Sequence, residues 1–368
     1  TPALTGGGGD WPRLPIGIKH GVAGQAGQRI YVGLGSAGSA LYTLNLAAVA
    51  DGWRELAPFP GPVTDDAAAA MAGGRLYVFS GAGKARPGDA APIVFTDVHA
   101  YDPASNAWRR LDTLTPVGLL GASARALDDD RIAIFGGYDK TLFDNYVRDL
   151  QAIDKGREPA RWQALVDGYM GMEPKEYRWN ARVLVYTIST NAWSDLGETP
   201  YPPTTGAALV EGDDGILLIN GEIKPGLRTA QVSQASITDG EARWSVGAPL
   251  PALPGEDSQE GLAGAYAGFS NGALIVAGGV NFPGARGNAE AGRWYAHKGL
   301  AKTWRADVYA RVDGAWKVAG QLPRGLAYGA SFRADDGLLV VGGEDGALTA
   351  RTEVFLVRWD GSSTVVTD

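Results

Sequence analysis

Between Asn220 and Thr229 the chain reads Asn-Gly-Glu-Ile-Lys-Pro-Gly-Leu-Arg-Thr, so that one carboxylate (Glu222) and two cations (Lys224 and Arg228) fall close together. Pro225 and Gly226 order the turn between them. Such a set can do acid–base chemistry: the carboxylate takes a proton, and the guanidinium holds an anionic substrate through paired N–H bonds. The bland alternative is a solvated turn closed by a surface ion pair, and the residue types alone leave both readings open. Other loops in the same kind of position carry more ordinary polar residues: Lys84, Asp139 with Lys140, and Glu344 with Asp345. The histidines His20, His99 and His297 lack metal-ligand spacing. His99 sits in a strand pattern that suits the core, whereas His297 lies in an insertion where it is free to meet a substrate.

What positions that loop is a repeat. Trp11, Trp53, Trp108, Trp193, Trp244 and Trp316 share a local setting, and each precedes a small-residue strand and then an apolar strand that ends in glycine. Those apolar strands are Ile30–Gly35, Leu76–Gly81, Ile132–Gly137, Ile216–Gly221, Leu274–Gly279 and Leu338–Gly343. The step from each Trp to its closing Gly runs from 24 to 35 residues, whereas the step from Gly to the next Trp runs from 18 to 56. A near-constant scaffold with variable loops on one side is what a propeller requires, and the lack of regular helices argues against a solenoid. An apolar strand ending in Gly-Gly, then a Tyr or Val strand, then Trp, as in Leu76–Gly81, Asp97–Asp102 and Trp108, resembles the Kelch repeat. The resemblance implies an all-β, six-bladed Kelch-type β-propeller, and the count of units makes residues 1–368 one domain. Because Trp11 has no Gly strand before it and the last unit has no trailing Trp, Asp10–Pro15 is expected to supply the outer strand of the last blade. Residues from about 138 to 182 interrupt blade three, and 159–170 are expected to form a short helix with Trp162, Leu165 and Val166 on one stripe. Such an insertion is either surface packing or a lid or dimer contact.

Composition removes several classes of function. The net charge is −8 with no basic run, so no nucleic-acid partner is expected. The chain has no cysteine, which excludes disulfides, thiolate metal sites and cysteine nucleophiles. No apolar run approaches the roughly 18 residues that span a bilayer, so no membrane insertion is expected. The start at Thr1, without Met, suits removal of a leader or a trimmed chain.

The loop Asn220–Thr229 also resembles the signature loop of the bacterial N-acetylneuraminate epimerases, the sialic acid mutarotases. So do Gly33-Leu-Gly-Ser-Ala-Gly38, Phe95-Thr-Asp-Val-His99, Tyr295-Ala-His-Lys-Gly-Leu300 and Ala327-Tyr-Gly329, which together span the chain. Departures gather in the insertion and at 281–291, which bears on the finer substrate preference. The resemblance implies that Glu222 is the proton acceptor and that Arg228 helps bind the substrate. Lys224, Arg286 and Tyr328 would contact the acid or the N-acetyl group. It also implies an isomerase that interconverts α and β anomers of N-acetylneuraminic acid without a cofactor or metal, in the periplasm, as a homodimer. Mutarotation needs a base at the anomeric hydroxyl and an acid at the ring oxygen, and Glu222 with a second group or water would serve. The alternative is a non-catalytic sialic acid or carbohydrate-binding propeller. A sialidase would repeat Ser-x-Asp-x-Gly-x-x-Trp turns, and only Ser236–Trp244 approaches one, with the wrong spacing. A Kelch-fold copper radical oxidase needs a cysteine, which is absent.

Overall fold

Each apolar strand read from the sequence is the second strand of a four-stranded antiparallel sheet: Arg29–Gly33, Arg75–Phe79, Arg131–Phe135, Gly215–Ile219, Ala273–Ala277 and Gly337–Val341. The computed structural model describes residues 10–368, so Thr1 and the expectation attached to it lie outside the described residues. The sheets follow one another in the chain as six blades, built from residues 22–55, 68–114, 123–198, 208–246, 266–321 and 330–367. The architecture is an all-β, six-bladed propeller.

Both faces of a blade are covered by its neighbours, which is why the second strands are apolar along nearly their whole length. The core is accordingly divided among the blade junctions. Ile132 and Ile134 of blade three pack with Phe79 and Val98 of blade two, and Val340 and Phe355 of blade six pack with Ile275 and Val308 of blade five. Each such side chain contributes on the order of 1.5–3 kcal/mol when fully buried. Four of the six repeated tryptophans add a polar staple, whereas Trp244 Nε1 is buried without a partner. Trp53 Nε1 donates to Pro12 O at 2.8 Å, Trp108 Nε1 to Ala57 O at 2.9 Å, Trp193 Nε1 to Thr113 Oγ1 at 3.0 Å and Trp316 Nε1 to Ala248 O at 2.9 Å. Ala57 and Ala248 directly follow the preceding blade, Thr113 lies in the outer strand of blade two, and Pro12 lies in the N-terminal segment.

The expected closure of the ring by Asp10–Pro15 is corrected. The outer strand of blade six is Thr364–Thr367, which pairs with Val354–Trp359. The turn Asp360-Gly361-Ser362-Ser363 joins them, and the Asp360 carboxylate accepts from the Ser362 and Ser363 amides at 2.8 Å. Closing so short a loop costs much less chain entropy than importing a strand from the other end of the chain. The N-terminal segment instead runs from blade six into blade one as a connector: Leu14 N donates to Thr352 O at 2.9 Å. Leu56 N makes the same bond to Leu41 O between blades one and two.

Two circles of residues surround the axis. The first is closed by backbone hydrogen bonds alone: His20 N to Tyr328 O, Asp66 N to His20 O, Gly121 N to Asp66 O, Gly206 N to Gly121 O, Gly264 N to Gly206 O and Tyr328 N to Gly264 O, all at 2.9–3.0 Å. Every member has a positive φ, between 53° and 74°. The second circle holds the residues that directly follow the closing glycines: Ser36, Ala82, Tyr138, Glu222, Val280 and Glu344. Isolated antiparallel bridges tie five of these to the residue before each first-circle member, as in Thr205↔Glu222 and Ala327↔Glu344.

The insertion in blade three carries two helices, α1 (Lys140–Gln151) and α2 (Pro159–Met170). Helix α2 is the one expected, with Val166 buried and Trp162 and Leu165 half-buried beside it. Helix α1 lies outside that expectation. Its Asp139 cap accepts from Leu142 N at 2.8 Å, and Lys140 pairs with Asp144 one turn on at 2.6 Å. A third helix, α3 (Ala285–Glu290), lies in the blade-five insertion.

Candidate active site

Glu222 and Arg228 lie opposite each other on a two-stranded hairpin, Glu222–Lys224 with Leu227–Arg228, that projects from the inner end of blade four. Gly226 makes its turn with a φ of +82°, and a β-carbon there would lie 2.0 Å from His297 Nδ1. Only glycine combines that backbone with that contact. The turn presents the Gly226 amide to Glu222 Oε2 at 3.0 Å, and Thr205 Oγ1 stands 3.4 Å from Oε1. Arg228 Nη1 is 3.0 Å from Glu222 Oε2, yet its N–H groups are not directed at a partner. The contact is therefore ionic, and a buried donor is left for another acceptor. The remainder of the guanidinium is fixed: Nε donates to Val280 O at 3.2 Å, Nη2 to Tyr328 OH at 3.4 Å, and the plane sits 5.1 Å from the Phe282 ring centre. Burial opposes the charge of Arg228, but Glu222 and Tyr328 outweigh it and hold its pKa above the ordinary value.

A cavity of about 550 Å³ opens on the axis at this point, a size within the usual range for small-molecule sites. Glu222, Thr205, Tyr328, His20, Asp65 and Asp66 supply its polar wall. Ala82, Pro92, Leu120, Tyr138 and Phe143 supply an apolar one. Phe143 belongs to α1, so the insertion builds part of the cavity. Within the same insertion Tyr169 stacks on Tyr146 with ring centres 3.8 Å apart, and Tyr177 meets Tyr169 edge-on. Burial raises the Tyr138 hydroxyl well above its ordinary pKa, with Glu222 adding to the effect, so it is a neutral donor. Tyr328 is raised in the same way by burial, against the pull of Arg228.

The structure brings Glu222, Arg228 and Tyr328 together: Glu222 and Tyr328 line the axial cavity, and Arg228 lies behind them, between that cavity and a side groove, whereas Lys224 and Arg286 stand away from the cavity. Lys224 is completely buried behind the hairpin, where Nζ donates to Met170 O at 2.6 Å and to Trp294 O. It fastens the loop to the end of α2 and to the blade-five insertion. Burial pulls its pKa down to about 8, with Glu222 acting in the opposite sense. Arg286, on α3, points into a side groove, bonded to Glu290 Oε1 at 3.0 Å and Gln259 O at 3.2 Å. Lys224→Met is expected to strand two buried carbonyls and cost about 2–4 kcal/mol. A lowered melting temperature and faster protease cleavage within 140–179 would register it. His297 packs on Gly226, and burial, with Lys224 and Arg228, lowers its pKa to about 4. His99 is buried beside Phe59 at 4.7 Å, away from the axis, as read.

A second polar cluster, not expected from the sequence, faces the cavity from the N-terminal connector. His20 Nδ1 is 2.9 Å from Asp66 Oδ1, and Nε2 is 3.5 Å from Glu344 Oε2. Lys19 Nζ also pairs with Glu344 at 2.8 Å, and Trp304 Nε1 donates to its other oxygen at 3.2 Å. The His20 ring stacks on Tyr328, centre to centre 4.5 Å. Burial would lower the pKa of His20, but hydrogen bonds and charge from Asp66 and Glu344 raise it to about 9. Burial likewise opposes ionisation of Glu344, but His20 and Lys19 bring it down to about 2. The signal was available, since Glu344 follows a closing Gly just as Glu222 does. Among the described residues no group of three or more His, Asp and Glu side chains is placed to hold a metal ion.

These shifts have opposite pH signatures. The stabilisation from His20 is complete below pH 6.5 and is lost as pH rises through about 9. That from Glu344 is complete above pH 4.5 and is lost as pH falls through about 2. A shift of the size seen for His20 corresponds to roughly 3 kcal/mol. Urea midpoints measured from pH 3 to pH 10 are expected to fall at both ends, and His20→Gln is expected to flatten the alkaline side.

The N-acetylneuraminate epimerase family model matches residues 11–366. An N-acetylneuraminate epimerase of Brucella melitensis is 55% identical over 96% of this chain and 91% of its own length. One of Vibrio cholerae is 44% identical over 97% of this chain and 93% of its own. Among solved structures, that of YjhT superposes with a TM-score of 0.90 at 36% identity, over 97% of this chain and 99% of its own.

Proposed function

The chain belongs to the N-acetylneuraminate epimerase family, and from that premise we propose that its axial cavity is where the α and β anomers of N-acetylneuraminic acid are interconverted. The activity is that of a sialic acid mutarotase, an isomerase. The observation that carries the site assignment is the pairing of Glu222 with a buried Arg228 whose Nη1 donor lacks an accepting partner.

Sialic acid carries its carboxylate on the anomeric carbon. Bound to Arg228 through paired N–H bonds, that carboxylate would hold the anomeric centre beside Glu222. It would also compete with Glu222 for Nη1 and so release the base as the substrate arrives. Glu222 takes the proton of the anomeric hydroxyl, the bond from the anomeric carbon to the ring oxygen breaks, and the ring oxygen accepts a proton. The open ketone turns about its bond to the next carbon and recloses on the other face, with both proton transfers reversed. No atoms are gained or lost. Tyr328 orients Arg228 through its hydroxyl, while Lys224 and Arg286 act by fixing the hairpin and α3. The apolar wall of Leu120, Pro92 and Phe143 suits the N-acetyl methyl group.

We further propose, from the family resemblance, that the ring works as one domain, in the periplasm and as a homodimer. The lack of cysteine is compatible with that compartment, since it leaves no thiol to oxidise. No helix among the described residues is long and apolar enough to cross a membrane.

The test is the decay of the α anomer freshly released by a sialidase, followed by proton NMR. The protein is expected to shorten that decay in proportion to its concentration. An unchanged decay in a solution where the protein binds the sugar would identify a sugar-binding module instead.

A further inference from the structure

The six residues of the inner hydrogen-bonded circle share one backbone conformation, and it is one that penalises side chains. Three positions are glycine, as that conformation favours: Gly121, Gly206 and Gly264. The other three, adjacent on the circle, are Tyr328, His20 and Asp66, with φ of 60°, 53° and 53°. Left-handed backbone at residues other than glycine persists where something else requires the side chain. These three side chains also touch one another, with His20 stacked on Tyr328 and bonded to Asp66, and all three line the axial cavity. His20 stands three steps round the circle from Gly206 in either direction, and Thr205, next to Gly206, bridges to Glu222. The imidazole therefore faces the cavity from the side of the axis opposite to the carboxylate.

We propose that His20 is the second catalytic residue, the acid that protonates the ring oxygen while Glu222 deprotonates the anomeric hydroxyl. The proposal rests on the mutarotase reading given above. In ring opening the imidazolium gives its Nε2 proton to the ring oxygen and becomes neutral, as Glu222 becomes the carboxylic acid. In ring closure the imidazole takes the proton back from the attacking hydroxyl, and Glu222 returns its own to the new anomeric oxygen. Asp66 holds Nδ1 at 2.9 Å, which fixes the ring, whereas Glu344 is 3.5 Å from Nε2, a looser contact that a substrate oxygen can replace. The charged and titratable groups that face His20 are Asp66 and Asp65 from the connector into blade two, Glu344 from blade six with its partner Lys19, and Tyr328. Lys302 Nζ lies over the Tyr328 ring at 5.8 Å from its centre. The carboxylates keep the imidazole protonated up to about pH 9.

The experiment is anomer-exchange kinetics by NMR for the wild type, His20→Gln and His20→Gly between pH 6 and pH 10, with the spontaneous rate subtracted at each pH. For the wild type, kcat/KM is expected to fall as pH rises through about 9. His20→Gln is expected to lose about 100-fold or more in kcat with KM changed only a few-fold, and to lack that alkaline fall. His20→Gly, which suits the backbone, is expected to fold cooperatively and to be as inactive as the glutamine variant. A wild type that does not accelerate exchange would overturn the mutarotase reading and this proposal with it. An active wild type whose His20→Gln variant keeps its kcat and its alkaline fall would overturn the proposal alone. So would a His20→Gly variant that folds and retains activity.

Discussion

Glu222→Gln is expected to lower kcat for anomer exchange by about 10³-fold and to leave sialic acid bound at least as tightly as in the wild type. The amide matches the carboxylate in shape, so the Gly226 amide can still donate to it. What it lacks is the capacity to take a proton. It also stops competing with the substrate carboxylate for Arg228. The free variant then carries a buried guanidinium without its counter-charge, which costs on the order of 3 kcal/mol. Sialic acid supplies the missing anion, so ligand is expected to raise the melting temperature of Glu222→Gln by more than that of the wild type. Calorimetric titration and thermal melts with and without sialic acid read both effects. Full activity in this variant would remove Glu222 from the role of base.

Arg228→Ala is expected to lower kcat/KM by about 10³-fold or more and to destabilise the fold by about 3–5 kcal/mol. Arg228 meets Glu222, the Tyr328 hydroxyl, the Val280 carbonyl and the Phe282 ring at once, and so joins hairpin, blade five and blade six. Truncation leaves Glu222 unpaired at a site where its side chain is 16% exposed. Adding Glu222→Gln to Arg228→Ala is therefore expected to restore part of the lost stability, since no orphan charge remains. The same double variant stays inactive. Arg228→Lys keeps the charge, but an ammonium cannot make paired bonds to a carboxylate. It is expected to raise KM about ten-fold or more with a smaller change in kcat.

The propeller was legible because its signal is local and repeated: a tryptophan, an apolar strand, a closing glycine. The position after that glycine was legible as well, and it holds Glu222. Glu344 stands at the corresponding place in blade six, yet beside Asp345 it read as ordinary loop polarity. Its partners, Lys19 and His20, are more than 320 residues away in the chain, and only ring closure brings them together. The inner circle left a fainter trace. Asp66, Gly121 and Gly206 each stand 13 residues after Trp53, Trp108 and Trp193. Unequal spacing at blades five, six and one hides Gly264, Tyr328 and His20 from the same count. The ends misled for a different reason: Trp11 has the setting of an outer-strand tryptophan but lies in a connector. Asp360-Gly361, a plain hairpin signal, in fact folds the last strand back on its own blade. Lys224 read as a substrate contact because its charge was visible, whereas the two carbonyls that consume it, of Met170 and Trp294, belong to insertions with no repeat to place them.

The central claim, that Glu222 in the axial cavity catalyses exchange between sialic acid anomers, is tested most directly by two-dimensional exchange NMR on sialic acid at anomeric equilibrium. No net reaction occurs there, so cross-peaks between α and β resonances report interconversion directly, and a protein-free sample gives the spontaneous part. Cross-peaks are expected with the wild-type protein and not with Glu222→Gln, in samples where both proteins are saturated with the sugar. Cross-peaks of equal intensity with both proteins, or with neither, would contradict the account.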